Sequence, residues 1–313
     1  MSAAQDEKAR EQYLVSVLGQ QIRVDIRRGR GVPLVLCNGI GASLDVLDPF
    51  VAELSPKTTV MRFDVPGTGG SPDSALPYGF PYLAVVLGRL LKKLGFRGAP
   101  LDILGFSWGG ALAQQFAFQN PLQCRRLILV STGTGVIMVP GRPAVLAKML
   151  TPRRFLDHEY AASIAGDLYG GTVRTDPSIV KRMFDRQLMA GSRIGYMHQL
   201  LAGSVWTSIF ALPAIRQRTL VIAGLDDPVV PLVNARIMNR LLPHSTVHLH
   251  AGGHIDVITN AAELAPVIEK FRSRGDTLWH AMPRRSSVPL PRRHARRAST
   301  SPRHPLTNPR WYA

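Results

Sequence analysis

Apolar and polar positions alternate along this chain with two periods, and the order in which the periods appear lays out an architecture. Tyr13-Leu14-Val15-Ser16-Val17-Leu18 and Ile22-Arg23-Val24-Asp25-Ile26 have the period of two and meet at Gly19-Gln20, which predicts a β-hairpin at a sheet edge. Pro33-Leu34-Val35-Leu36-Cys37 is a continuous apolar run, as a strand buried on both faces of a parallel sheet must be. Strands of the same kind are expected at Thr59 to Asp64, Leu101 to Leu104, Arg126 to Ser131, Thr219 to Gly224 and Thr246 to Leu249. Helical spacing occupies the intervals. Tyr82 to Leu94 places Lys92-Lys93 in its last turn and Gly95 as its stop, and helices are also expected after Gly110, from about Leu232 to Leu242 and from Ala261 to about Phe271. Strand and helix in alternation predict an α/β fold, a mostly parallel sheet with helices on both faces.

The rhythm breaks between about Thr134 and Ala211. No buried-strand pattern occurs there, and Met, aromatic and basic residues interleave with helix-like stretches such as Ala144 to Leu150 and Ile179 to Ala190. Ligands of such sheets bind beyond the carboxyl ends of the strands, so an insertion at this point is expected to cover the site as a helical lid; a helical outrigger without a substrate role is the alternative. The chain divides on this basis into a core in two parts, residues 1–134 and 212–272, a lid over 135–211, and a tail over 273–313.

Composition changes the picture only at the tail. With 38 Lys and Arg against 21 Asp and Glu the chain carries +17, but ten arginines and one acid lie from Phe271 onward, so residues 271–313 hold +9 and residues 1–270 hold +8. The tail is rich in Pro, Ser and Arg without apolar periodicity, a composition that cannot bury enough surface to offset its ordering entropy and predicts disorder. Specific nucleic-acid recognition is not expected of it, since it lacks Lys and any groove-reading helix pattern. No apolar run reaches the length of a membrane span, and the first residues carry both charge signs without an apolar stretch. Cys37 and Cys124 sit inside apolar strand runs, which suits buried free thiols in a reducing, cytoplasmic compartment.

The chemistry centres on Leu101 to Gln115, LDILGFSWGGALAQQ, where a strand runs into a small-residue turn and then a helix. Gly105 and Gly109 flank Ser107 as Gly-x-Ser-x-Gly, the pattern of a nucleophile elbow. A serine hydroxyl needs a general base, and the base needs a carboxylate to fix its tautomer. Both follow at strand ends: Asp226-Asp227 after Gly224, and His254 after Gly252-Gly253. His244, His248 and His250 are the competing bases; two of them alternate along a strand, so surface or partly packed roles are expected.

The order Ser, Asp, His with this placement resembles that of the α/β-hydrolases. The resemblance implies the α/β-hydrolase fold, Asp227 as the acid with Asp226 as the adjacent alternative, and an oxyanion hole from the backbone N–H groups of Ile40 and Trp108. Asn38-Gly39-Ile40-Gly41 stands where the family usually has His-Gly-x-x. More narrowly, NGIGAS (38–43), FDVPGTGGS (63–71), SWGGALAQQFA (107–117), IMVPGRP (137–143), LYGG (168–171) and AGSVWTSI (202–209) look like the intracellular depolymerases of medium-chain-length polyhydroxyalkanoates. That resemblance implies hydrolysis of a 3-hydroxyacyl ester in a polyester granule or another hydrophobic ester substrate, with no metal and no organic cofactor. It implies an aliphatic-accepting lid surface that includes Met138, Leu146, Met149, Trp206, Ile209 and Phe210. A soluble acyl ester is the alternative substrate, and tail-mediated binding to anionic surfaces or nucleic acid is the alternative of a different class.

Overall fold

The computed structural model describes residues 10–151, 153–176, 178–179 and 191–274. Strands β1 (Arg10–Val17), β2 (Gln20–Arg27), β3 (Leu34–Cys37), β4 (Val60–Phe63), β5 (Leu101–Phe106), β6 (Cys124–Val130), β7 (Arg218–Gly224) and β8 (Ser245–His250) form one sheet in the order β1-β2-β4-β3-β5-β6-β7-β8. The pairs β1·β2 and β2·β4 are antiparallel and the remaining pairs parallel. The hairpin lies at the edge as its alternation requires, with the turn at Leu18-Gly19, one residue earlier than expected.

Side chains of the central strands divide between two apolar layers. In β3, Val35 and Cys37 enter one layer with Phe80, Leu83, Leu87, Leu112, Phe116 and Met238, while Leu34 and Leu36 enter the other with Phe50, Ile164, Leu264 and Ile268. This two-sided burial is why the strands read as unbroken apolar runs. The first layer is roofed by helices Phe80–Lys93, Trp108–Gln119 and Leu232–Leu241, the second by Asp48–Glu53, His158–Tyr169 and Ala261–Ser273. Cys37 and Cys124 are buried free thiols, and burial pushes both well above the usual thiol range.

Charged residues also enter the sheet, where apolar patterning gives no warning of them. Arg62 of β4, 1% exposed, donates to Asp25 (2.8 Å), Asp48 (2.7 Å) and the Leu44 carbonyl (2.9 Å). At the opposite end of the strands, Asp102 accepts from Arg125 (2.7 Å) and Arg272 (2.9 Å), and Arg126 donates to the carbonyls of Phe271 and Arg274. The last helix therefore docks on the sheet through guanidinium groups, and the packed body continues to Arg274, just beyond the expected boundary at 272. The expected tail from residue 275 and the expected helix beyond Ile179 lie outside the described residues. No helix among the described residues is long and apolar enough to cross a membrane.

The segment from the end of β6 to the start of β7 carries helices Pro143–Ala147, Arg153–Leu156, His158–Tyr169, Gly171–Thr175 and Arg193–Val205. Its two ends are stapled together: Gly135 bridges Thr207, the Val136 amide donates to the Trp206 carbonyl (2.8 Å), and the Ser208 amide to the Thr134 carbonyl (3.0 Å). The stem is held to the helix that follows Ser107, since Ser208 Oγ donates to Gln114 Oε1 (2.7 Å) and the Trp206 indole to Gln115 Oε1 (2.7 Å).

Asp64, at the end of β4, accepts from the amides of Leu44 (2.6 Å) and Gly70 (2.9 Å) and from Arg23 (3.3 Å). Burial outweighs these donors and pushes its carboxyl up to about 6. A folded-state pKa raised above the unfolded value stabilises the fold at low pH, and that contribution is lost as pH rises through about 6. Unfolding free energies of the parent chain and Asp64→Asn should therefore diverge in the parent's favour by about 2 kcal/mol between pH 7.5 and pH 4.5. Urea denaturation at the two pH values measures this, and a pH-independent difference would contradict it.

Candidate active site

Ser107 stands between β5 and helix Trp108–Gln119 with φ 52° and ψ −120°, a left-handed conformation that a side-chain-bearing residue adopts only when its surroundings compel it. The compulsion is close packing. A Cβ on Gly109 would stand 2.1 Å from the Cys37 carbonyl oxygen, and one on Gly105 would stand 2.5 Å from the Gly109 carbonyl oxygen. Both positions of Gly-x-Ser-x-Gly are thus fixed by sterics, and the sharp turn leaves the serine hydroxyl clear of the sheet.

His254 reaches Ser107 from the loop after β8, with Nε2 2.9 Å from Oγ. Its Nδ1 lies 2.9 Å and 3.1 Å from the two carboxylate oxygens of Asp227, on the loop after β7. A carboxylate only accepts, so the neutral imidazole carries its proton on Nδ1 and leaves Nε2 free to take the serine proton. Asp227 is held in turn by the amides of Val229 and Val230, each 2.9 Å from Oδ1. The side chains of His254 and Asp227 are nearly inaccessible, which keeps water from competing for these bonds.

The adjacent Asp226 turns the other way. Its carboxylate takes both guanidinium nitrogens of Arg174 (3.1 Å and 3.0 Å) and the Gly171 amide (2.8 Å), and Arg174 holds it below the usual carboxylate range. Of the three alternative histidines, His244 is exposed and His248 half-buried, in keeping with the surface or partly packed roles expected. His250 departs from that expectation: it is buried, its Nδ1 accepts from the Gly252 amide (3.1 Å), and burial holds its pKa below the usual histidine value. It braces the loop that carries His254.

In the Asn38–Ser43 loop the Gly39 amide is taken by Asn38 Oδ1 (2.8 Å), that of Gly41 by Gln199 Oε1 (3.0 Å) and that of Ala42 by the Gly39 carbonyl (3.3 Å). The Ile40 amide makes no hydrogen bond among the described residues. The Trp108 amide is the first of its helix and so lacks an intrahelical acceptor. These are the two donors expected to face an oxyanion, and the helix end adds its partial positive charge. Asn38, in place of the family's usual His, donates Nδ2–H to the Ser43 carbonyl (2.6 Å) and so pins the loop from within.

Gln199 carries no signal in the sequence beyond being polar in an apolar helix, yet it connects the insertion to this loop. Fully buried, it accepts from Gly41 through its side chain, and its backbone carbonyl accepts from the Trp108 indole (2.9 Å). The insertion grips the backbone of His254 as well, since the His254 amide donates to the Tyr169 carbonyl (2.7 Å). The apolar residues expected to meet an acyl chain are dispersed. Trp206 is buried against Phe80, Leu146 and Met149 pack on the second apolar layer, Met138 lies close to Gly133, Ile209 is half-buried and Phe210 is 84% exposed.

Residues 32–261 match the family model described as the alpha/beta hydrolase fold. The chain is 42% identical over 273 residues, 86% of its own length and 95% of the relative's, to a poly(3-hydroxyalkanoate) depolymerase of Ectopseudomonas oleovorans. Among solved structures, an enol-lactonase of Burkholderia xenovorans aligns with TM-score 0.71 at 22% identity, covering 83% of this chain and 99% of that one. An esterase of Thermogutta terrifontis aligns with TM-score 0.68 at 22% identity over 84% and 97% of the two chains. At that identity the two structures speak for the fold.

Substitution of Ser107→Ala or His254→Ala should lower kcat for a soluble ester by roughly 10⁴ or more, and Asp227→Asn by a similar factor, with the far-UV spectrum unchanged. Asp226→Asn removes only a half-exposed ion pair and should retain activity within about threefold; a crippled Asp226→Asn beside an active Asp227→Asn would reverse the assignment of the acid. Gln199→Ala unpins the Asn38–Ser43 loop that carries the Ile40 amide and should reduce kcat by about 10-fold or more with little change in KM, because an oxyanion donor acts in the transition state. A change confined to KM would instead place Gln199 in ground-state binding.

Proposed function

The chain belongs to the alpha/beta hydrolase family, and from that premise we propose that it is a serine esterase cleaving medium-chain-length poly(3-hydroxyalkanoate) to 3-hydroxy acids or their oligomers. Ser107 Oγ attacks the ester carbonyl as His254 Nε2 takes its proton, and the Ile40 and Trp108 amides hold the oxyanion that forms. Collapse of the tetrahedral centre returns the proton to the departing alkoxide and leaves an acyl-serine. Water, deprotonated by the same histidine, then releases the acid. Asp227 keeps the imidazole oriented and stabilises its charged form. The insertion serves as the lid, and the enzyme acts inside the cell at the surface of polyester storage granules.

One observation carries the polymer rather than a soluble ester. On helix Arg193–Val205, Ile194, Met197, Leu201 and Val205 are 47–71% exposed and recur every three or four residues as one stripe, while Tyr196, Gln199 and Ala202 face inward. A helix that turns an apolar stripe to solvent while its polar Gln199 is buried against the Asn38–Ser43 loop is matched to an apolar surface outside. An aliphatic polyester is such a surface, and the likeness to the Ectopseudomonas depolymerase supports the same reading.

Incubation with medium-chain polyester granules should release 3-hydroxy acids, measured by chromatography. Hydrolysis of p-nitrophenyl esters with no polymer turnover would leave an esterase of soluble substrates. Leu201→Asp should lower the ratio of polymer to soluble-ester turnover by about tenfold or more, the loss of one leucine's burial of about 1.5–3 kcal/mol.

A further inference from the structure

A cavity of about 870 Å³ opens between the first stretch of the insertion and the loop that follows β7. Val139, Leu146, Leu150, Leu225 and Leu232 give it apolar walls, and exposed Arg142 lines it as well. Ser107, His254, Ile40 and Trp108 take no part in it. Asp227 does, with its carboxylate turned to His254 and 1% exposed, so the cavity meets the far side of the loop that carries the acid. The two walls are clasped to each other: Asn234 Oδ1 accepts from the Val139 amide (2.9 Å) and its Nδ2 donates to the Val139 carbonyl (2.8 Å). The volume therefore exists before anything enters it, and it falls in the range of about 300–1,000 Å³ that small-molecule sites occupy.

Its charge decides what fits. Arg174 and Asp226 both line the cavity but satisfy each other through two hydrogen bonds. The Arg142 guanidinium makes no hydrogen bond or ion pair among the described residues and feels Asp226 only at a distance. Leucine walls with one uncompensated guanidinium complement a chain with an anionic head, and the guanidinium fork matches a carboxylate with two parallel bonds. We propose that this cavity is a second binding site, distinct from the triad, for a medium-length aliphatic carboxylate, its head on Arg142 and its chain along the leucines. The 3-hydroxy acid released at Ser107 is one such molecule; that clause alone rests on the esterase reading, and a fatty acid of other origin has the same chemistry. Occupancy is felt at the Asp227 loop, which places a product within reach of the catalytic acid's support.

The test separates the two sites. Treatment of the full chain with paraoxon caps Ser107 with a diethylphosphoryl group, and mass spectrometry of the adduct reads the serine-hydrolase assignment by itself. The capped enzyme is then titrated by calorimetry with decanoate, 3-hydroxydecanoate and decanol. The expected result is one site for either acid and at least roughly tenfold weaker binding of decanol, the scale of one charge-assisted hydrogen bond. Arg142→Glu should weaken both acids by roughly tenfold or more, and Ala147→Trp, which intrudes into the cavity from one wall, should weaken both by a similar factor. Adduct formation at Ser107 in both variants certifies their fold. Tighter binding of 3-hydroxydecanoate than of decanoate assigns the site to product, and equal binding assigns it to aliphatic acids at large. Binding that disappears on capping, that decanol shares, or that Arg142→Glu leaves unchanged overturns the proposal. Should no adduct form, the esterase reading fails, while the effect of Ala147→Trp on decanoate binding still reports on the cavity.

Discussion

The contact on which the structure depends is the approach of a helix start to the carboxyl ends of two strands at once. Helix Trp108–Gln119 lies so close to β3 that no side chain fits at Gly109, and β5 so close to the helix that none fits at Gly105. That approach holds Ser107 in the left-handed region and brings the start of the Asn38–Ser43 loop against the helix start, where a Cβ on Gly109 would stand 2.5 Å from the Asn38 carbonyl oxygen. The proposed nucleophile and oxyanion donors thus share one steric cause. Strain of this kind costs on the order of 1–3 kcal/mol and persists because both flanking elements are buried in the apolar layers.

Much of this was legible in the sequence because strong physical constraints leave strong patterns. The apolar runs of β3 to β7 follow from burial on two faces, and the glycines around Ser107 and before His254 follow from backbone proximity. The geometry also separates Asp227 from Asp226, which adjacency in sequence could not: only Asp227 reaches His254, and Asp226 is taken up by Arg174. What the sequence hid were residues whose role is set by long-range partners. Arg62 and Arg126 sit in strands where apolar patterning leaves no place for charge until Asp25, Asp48 and the Phe271 carbonyl are brought near. Gln114, Gln115 and Gln199 resemble ordinary helix-surface glutamines until the insertion folds against them. His250, in an alternating strand pattern that suggests a surface or partly packed role, is buried and holds the Gly252 amide of the loop after β8.

Motifs that resemble the polyester depolymerases turn out to mark joints. LYGG ends in the Tyr169 carbonyl that holds the His254 amide and in the Gly171 amide that binds Asp226. AGSVWTSI supplies the Trp206 and Ser208 contacts that fasten the stem to the helix after Ser107. FDVPGTGGS supplies Gly67, whose carbonyl accepts from the Ser192 amide (3.0 Å) and whose backbone leaves no room for a side chain at Gly195. Three of the motifs that carry the resemblance are thus ones that fix the insertion to the rest of the fold.

This arrangement bears on what the insertion is. Lifting it as one body would part Gln199 from Gly41 and Trp108, Tyr169 from His254, Gly171 and Arg174 from Asp226, and Trp206 and Ser208 from the glutamines. Each hydrogen bond contributes about 1 kcal/mol net, more where a charge takes part, and several of the groups are buried, so that breaking them without replacement costs more still. The loss would fall on the oxyanion loop and on the support of His254. Stability and the proposed catalysis therefore draw on the same bonds: the insertion is built into the framework that holds Ser107, Asp227 and His254, and the apolar stripe on helix Arg193–Val205 is its part exposed to solvent.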